Sequence, residues 1–277
     1  MEFLLAVLVG IAIGIVVGLL GAGGGILAVP VLIYLLGQAP HNATAGSLVI
    51  VLLSAVTALL SHARAHHVKW KAGFTFGIFA IIGAFIGARI APGISETLLV
   101  TLFAVLLLMV SILMAYRGKQ TRHQEENPRQ LTVEYDTDSE SDAEPPASSQ
   151  PEKRDLSLIS IAAAGLVVGV LSGIFGVGGG FAVVPLLIFI FGFNIRQATG
   201  TSLLVMMLTS ASGLVGRIGT PVTIDWPIIL LFAAGSALGG VLGEPIGRRF
   251  RPSTLTFLFS GMLVVMAALM LVETYLL

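Results

Sequence analysis

Apolar residues run along this chain in long blocks separated by short polar punctuation, with neither the one-sided period of a soluble helix nor the alternation of a half-buried strand. The blocks cover residues 3–37, 42–61, 70–91 and 97–116, then 156–192, 197–216, 226–247 and 254–277. A spanning helix needs about 20 apolar residues, so six of the blocks predict one span each. The first block of each half is about 35 residues long, too long for one span, and predicts a break within it. The N-terminal block does not read as a cleaved signal peptide: it lacks a basic start, carries Glu2 and runs on past the usual apolar length.

The two halves are copies. At an offset of 155 residues, 16 of the 39 positions from Gly10 to Leu48 are identical without a gap. The pairs include Gly10/Gly165, Gly14/Gly169, Gly18/Gly173, Gly21/Gly176, Pro30/Pro185, Gly37/Gly192, Thr44/Thr199 and Ser47/Ser202. With one inserted residue, Trp70 meets Trp226, Gly83 meets Gly239 and Gly87 meets Gly243.

Gly10, Gly14 and Gly18 are four apart, as are Gly165, Gly169 and Gly173, and each set predicts a smooth stripe for close helix contact. The triples Gly23, Gly24, Gly25 and Gly178, Gly179, Gly180 do something else. Each Gly lowers helix propensity by about 1 kcal/mol, and Pro30 or Pro185 suits the first turn of a new helix. The long blocks therefore predict two helices joined by an irregular turn at 21–25 and again at 176–180. The piece at 26–37 would rise only about 18 Å against a hydrocarbon core of about 30 Å, which predicts a re-entrant half-helix.

Composition agrees with the bilayer: 56% of residues are hydrophobic and 11% charged, against about 25% charged in a soluble domain. The balance of 15 Lys+Arg and 15 Asp+Glu argues against a nucleic-acid partner, and zero Cys removes disulfides, thiolate metal sites and Cys nucleophiles. Residues 117–155 hold ten acids and six bases and predict a disordered linker. The domains are then a first membrane repeat at 1–116, the acidic linker at 117–155 and a second repeat at 156–277.

The placement of the bases orients the halves. If each long block turns back on itself, the repeats are inverted, and Arg64, Lys69, Lys71, the six linker bases, Arg196, Arg248, Arg249 and Arg251 share one face while Arg89 and Arg217 take the other. Parallel repeats split the bases only ten to five. The 13 to 2 split makes the basic face cytoplasmic, with the linker inside and both termini outside. The expected fold is an all-α polytopic membrane protein of two inverted-topology repeats, each with a Gly-broken first segment and three further spans. Secondary transporters use this architecture, with the substrate near the midplane where broken helices meet. Half-helices starting at the Gly turns would aim N–H groups and a positive dipole end at that point, which favours an anion.

The glycine turns, G-L-L-G-A-G-G-G-I-L-A-V-P-V-L and S-G-I-F-G-V-G-G-G-F-A-V-V-P-L-L, resemble those of the TauE/SafE membrane proteins, often called sulfite exporters. The stretch A-T-G-T-S-L-L at 198–204 is similar to that family's second motif, while the first half departs from it, with Ala45, Gly46 and Ser47 in place of Gly, Thr and Ser. The resemblance implies passive or proton-coupled movement of sulfite or small organosulfonates, usually outward, by an inner-membrane protein; a homo-oligomer is compatible with it. Composition and spacing alone reach an inverted-repeat transporter suited to an anion, and leave open another small anion or a non-transporting membrane scaffold.

The candidate substrate-binding residues are the two Gly triples together with Asn42, Thr44, Ser47, Gln197, Thr199, Thr201 and Ser202, which begin the helix after each half-helix. Packing and helix breaking is the plainer role of the glycines, and N-capping that of Asn42 and Thr44. No cofactor is expected. His41, His62, His66 and His67 lie in basic surroundings without a carboxylate, which favours interfacial anchoring over a metal. Glu244 is the acid best placed inside the membrane, with Arg248 four residues on as a rival ion-pair partner. Arg89 could neutralise a substrate but lies near Glu96 at the interface, and Trp70, Trp226 and Tyr116 suit interface belts. A membrane-embedded enzyme would need a nucleophile, a metal cluster or paired acids, and no such constellation is present.

Overall fold

A computed structural model describes residues 2–20, 25–64, 66–126, 158–193, 195–247 and 252–276. The described residues form α-helices and no strand: α1 (Glu2–Leu20), α2 (Gly25–Tyr34), α3 (Pro40–Arg64), α4 (Trp70–Ile90), α5 (Glu96–Glu126), α6 (Leu158–Phe175), α7 (Gly180–Phe191), α8 (Ile195–Gly216), α9 (Trp226–Gly247) and α10 (Pro252–Leu276). Among the described residues six helices are long and apolar enough to cross a membrane: those at Pro40–Arg64, Trp70–Gly93, Glu96–Tyr116, Leu158–Phe175, Gln197–Gly216 and Thr256–Tyr275.

Among the described residues each half contributes five α-helices, and they pack chiefly across the halves. α1 lies along α9 and α6 along α4, while α3 meets α8 and α5 meets α10. Under the repeat offset, the α1–α9 pair maps onto the α6–α4 pair. Both are parallel: a methyl group added at Gly10 would lie 2.5 Å from the Phe232 carbonyl oxygen, and one at Gly14 would strike that of Ser236. In α6 the same ghost atoms at Gly165 and Gly169 meet the carbonyls of Phe76 and Ala80. The predicted glycine stripes therefore bring backbone against backbone, which is how apolar helices associate without a hydrophobic driving force.

The corresponding helices α3 and α8 run antiparallel. Gly213 faces Leu48, with a ghost methyl 3.0 Å from its Cδ1, and Gly178 lies against both Val51 and Ser210. α5 and α10 also run antiparallel, since Thr101 reaches Tyr275 at 3.0 Å and Ser111 exchanges hydrogen bonds of 2.9 Å with Ser260. The main core gathers α2, α3, α5, α9 and α10 around Leu27, Leu32, Phe103, Phe232 and Leu263.

Three expectations need correction. α5 continues ten residues beyond Tyr116 to Glu126, so the linker begins as helix; Arg, Lys, Gln and Glu in this stretch are good helix formers. Residues 127–157 lie outside the described residues. Pro30 and Pro185 stand inside α2 and α7 rather than in their first turns, because those helices begin directly on Gly25 and Gly180. Without an N–H, each proline leaves the carbonyl four residues earlier, at Ile26 and Phe181, without its helical donor. α3 begins at Pro40, so Asn42 does not cap it: its amide reaches Thr223 at 3.1 Å, and the Thr223 N–H donates back to its Oδ1 at 3.1 Å.

Candidate functional site

The second glycine turn breaks the second long apolar block into two helices. α6 ends at Phe175, the backbone is non-helical at 176–179, and α7 starts at Gly180. Gly176, Gly178 and Gly179 have φ of 71°, 73° and 75°, a region that side-chain-bearing residues rarely adopt. Space imposes the same choice, since a methyl at Gly176 would strike the Thr44 carbonyl and one at Gly180 the Met206 sulfur. Met206 is near the middle of α8, so the N-terminus of α7 stands level with the middle of a spanning helix. All five residues Gly176–Gly180 are buried. Among the described residues, no backbone acceptor takes the N–H groups of Gly178, Gly179 or Gly180, while Gly179 accepts from Ala182 and Val183 at 3.0 Å. A helix N-terminus of this kind carries a partial positive charge.

Hydroxyls hold the turn. Ser47 Oγ lies 2.8 Å from the Gly176 carbonyl and 2.9 Å from that of Thr44, and Thr209 Oγ1 lies 3.1 Å from the Gly178 carbonyl. Thr44 returns its proton to the His41 carbonyl at 2.9 Å. Arg217 follows α8 and is 6% exposed. Its Nη2 donates to the carbonyls of Gly173 at 3.1 Å and Ile174 at 3.3 Å, and its Nη1 to that of His41 at 3.3 Å. Burial lowers its pKa to about 10, so it stays charged at neutral pH. A cation on the last carbonyls of α6 matches the negative end of that helix.

The residues predicted as one site fall into two groups. Gly178, Gly179, Gly180, Thr44 and Ser47 meet at the second turn, with Asn42 one helical turn away on Thr223. Gln197, Thr199, Thr201 and Ser202 lie at the opposite end of the antiparallel α3–α8 pair. Ser202 is about 18 Å along α8 from the level of Ser47. There Thr201 Oγ1 accepts the Lys69 N–H at 3.0 Å, and Ser202 returns its proton to the Thr199 carbonyl at 2.8 Å. Gly25 opens α2, whereas Gly23 and Gly24 lie outside the described residues. Equivalent residues of the antiparallel α3 and α8 thus stand toward opposite ends of the pair.

The remaining candidates are distributed as follows. Arg89 is exposed, its guanidinium 5.5 Å from the Phe85 ring centre. Among the described residues no three His, Asp or Glu side chains gather as metal ligands; the His62 and His67 rings are 5.8 Å apart. The Glu244 side chain and Arg248 lie outside the described part. Sequence reasoning singled out neither Ser172, Thr209 and Ser210 nor the burial of Arg217 against backbone carbonyls. Ser172 and Arg217 carry a readable signal: they stand where the first copy has Val17 and His62.

An integral multi-pass membrane protein with a buried, glycine-lined helix break fits the class of membrane transporters. The chain belongs to the family described as sulfite exporter TauE/SafE, whose model matches residues 6–270. It is 34% identical to a "Probable membrane transporter protein" of Xylella fastidiosa strain 9a5c over 87% of this chain and 83% of that one. It is 28% identical to a protein of the same description from Methanocaldococcus jannaschii, with 98% and 97% of the two chains covered. Identity to the "Probable membrane transporter protein YunE" of Bacillus subtilis is 27%, over 99% and 98%. No solved structure matches the chain.

Proposed function

We propose that this protein is an inner-membrane secondary transporter that exports a small sulfur oxyanion, sulfite or an organosulfonate, by a passive or proton-coupled route. The family supplies the substrate class. The observation that carries the reading is the buried N-terminus of α7: its amides have no backbone acceptor among the described residues, and it stands level with the middle of α8. Free amides and a positive helix end at membrane depth suit an anion, and irregular backbone there is tolerated only in protein or beside a cavity.

In this reading the repeats are inverted, α2 and α7 are re-entrant half-helices, the linker is cytoplasmic and both termini are outside. The antiparallel courses of α3 against α8 and α5 against α10 support the inversion, because equivalent helices of two repeats then run in opposite directions. α2 and α7, at 10 and 12 residues, would rise about 15 and 18 Å, short of a full crossing.

The test is flux of labelled sulfite and sulfoacetate in proteoliposomes, with and without a pH gradient. The wild type should move at least one of them. Gly179→Val, which forces a branched side chain onto φ 75° and against Val168, should abolish flux while the protein still inserts, and Gly24→Val should do the same in the first copy. Normal flux in both variants, or no flux in the wild type, rejects this reading.

A further inference from the structure

We propose that the oxyanion is held at the second glycine break alone, by the hydroxyls of Ser172 and Ser210 beside the N-terminal amides of α7. This rests on the transport reading above and assigns two residues to its site. Both serines are fully buried, and neither hydroxyl has a hydrogen-bond partner among the described residues. That is unusual for serine in a helix, whose proton ordinarily returns to a carbonyl three or four residues back. Thr44, Ser47, Ser202 and Thr209 all do so here, and these two do not.

Both serines adjoin the turn. A methyl at Gly178 would lie 3.2 Å from Ser210 Oγ, and one at Gly179 would lie 3.6 Å from Ser172 Cβ. Of the turn's carbonyls, which would repel an anion, that of Gly179 accepts from Ala182 and Val183, and those of Gly176 and Gly178 share the protons of Ser47 and Thr209 with the helices that carry these hydroxyls. Arg217, bonded to the carbonyls of Gly173 and Ile174 next to Ser172, adds positive charge. Donors from α6, α7 and α8 therefore flank the same turn. A pyramidal or tetrahedral head with three oxygens, as in sulfite or a sulfonate, can take a hydroxyl on two of them and amides on the third.

The repeat makes the site one-sided. At the 155-residue offset, Ser172 and Ser210 correspond to Val17 and Ala55, whereas the carbonyl-bonded hydroxyls Thr44/Thr199 and Ser47/Ser202 occur in both copies. The unpartnered pair thus belongs to the second half only.

Sulfite binding to the purified full-length protein, read by equilibrium dialysis with labelled sulfite alongside a thermal melt, tests this in Ser172→Ala, Ser210→Ala and the double variant. Each single change should raise the sulfite Kd about tenfold or more, as loss of one hydrogen bond to a charged group implies. The melting temperature without sulfite should hold or rise, because no protein bond is removed. An unchanged Kd in the double variant overturns the assignment. So does a lowered melting temperature or loss of a monodisperse species, which would mark the hydroxyls as structural, for instance as holders of a permanent water. If the wild type binds and transports sulfite but the variants match it, only this assignment fails; if the wild type does neither, the transport reading fails first.

Discussion

At the scale of single residues, glycine does two separate jobs in this molecule, and only one depends on backbone freedom. At 176, 178 and 179 the positive φ angles require it. At Gly14 and Gly169 the backbone is ordinary helix, and the requirement is absence of a side chain, since a methyl at either would strike a carbonyl oxygen of the facing helix, Ser236 or Ala80. Rigid backbone, unlike the tip of a flexible side chain, cannot yield without separating the helices. Gly14→Ala and Gly169→Ala should therefore each destabilise the protein by about 1–3 kcal/mol despite alanine's better helix propensity, and the double variant by more. Gly261, with open space around it, is the control: Gly261→Ala should be neutral or stabilising. Thermal melts followed by size-exclusion fluorescence would compare the three. Equal stability in all of them would mean the helices are not held at the observed distance.

At the scale of elements, Arg217 ties three of them together, for it follows α8, closes the carbonyl end of α6 and reaches the start of α3 through His41. Arg217→Ala removes a buried cation from three carbonyls and should lower stability by about 2–4 kcal/mol, visible as reduced yield and a lowered melting temperature. Arg217→Lys should recover only part, because one ammonium cannot reproduce the planar fork. Full recovery would reduce the residue to a point charge. How much of this was legible beforehand varies by element. The non-helical backbone at 176–179, the glycine stripes and the copies followed from apolar block length and from the 155-residue offset, both local properties of the chain. The partner of each stripe was not legible, since nothing in Gly10 or Gly14 names α9. Nor was the separation of Thr44 and Ser47 from Thr201 and Ser202: it is set by the antiparallel course of α3 and α8, and appears only once the halves are packed. Arg217 looked like one more outer base, because its burial comes from α6 and α3, more than 40 residues away in sequence.

At the scale of the whole molecule, the proposed inversion and the interlocking of the halves would share one cause. A half whose first helix must find the fourth helix of its copy, as α1 finds α9 and α6 finds α4, offers each copy the same glycine surface, and a two-fold relation satisfies both contacts at once. If that axis lies in the membrane plane, equivalent loops emerge on opposite sides, and the bases sort 13 to 2 as the sequence count requires. Parallel repeats would place equivalent loops on the same side. The chain has no cysteine, so single cysteines can be read without background. Gly93 and Thr220 follow α4 and α8, and should label with an impermeant maleimide in intact cells. Ser139, in the linker, and His66, between α3 and α4, should label only after the membrane is opened. His66 and Thr220 are the decisive pair, because they occupy the equivalent α3–α4 and α8–α9 connections. Labelling of both from the same side would rule out inversion, and with it the opposed courses of the two half-helices.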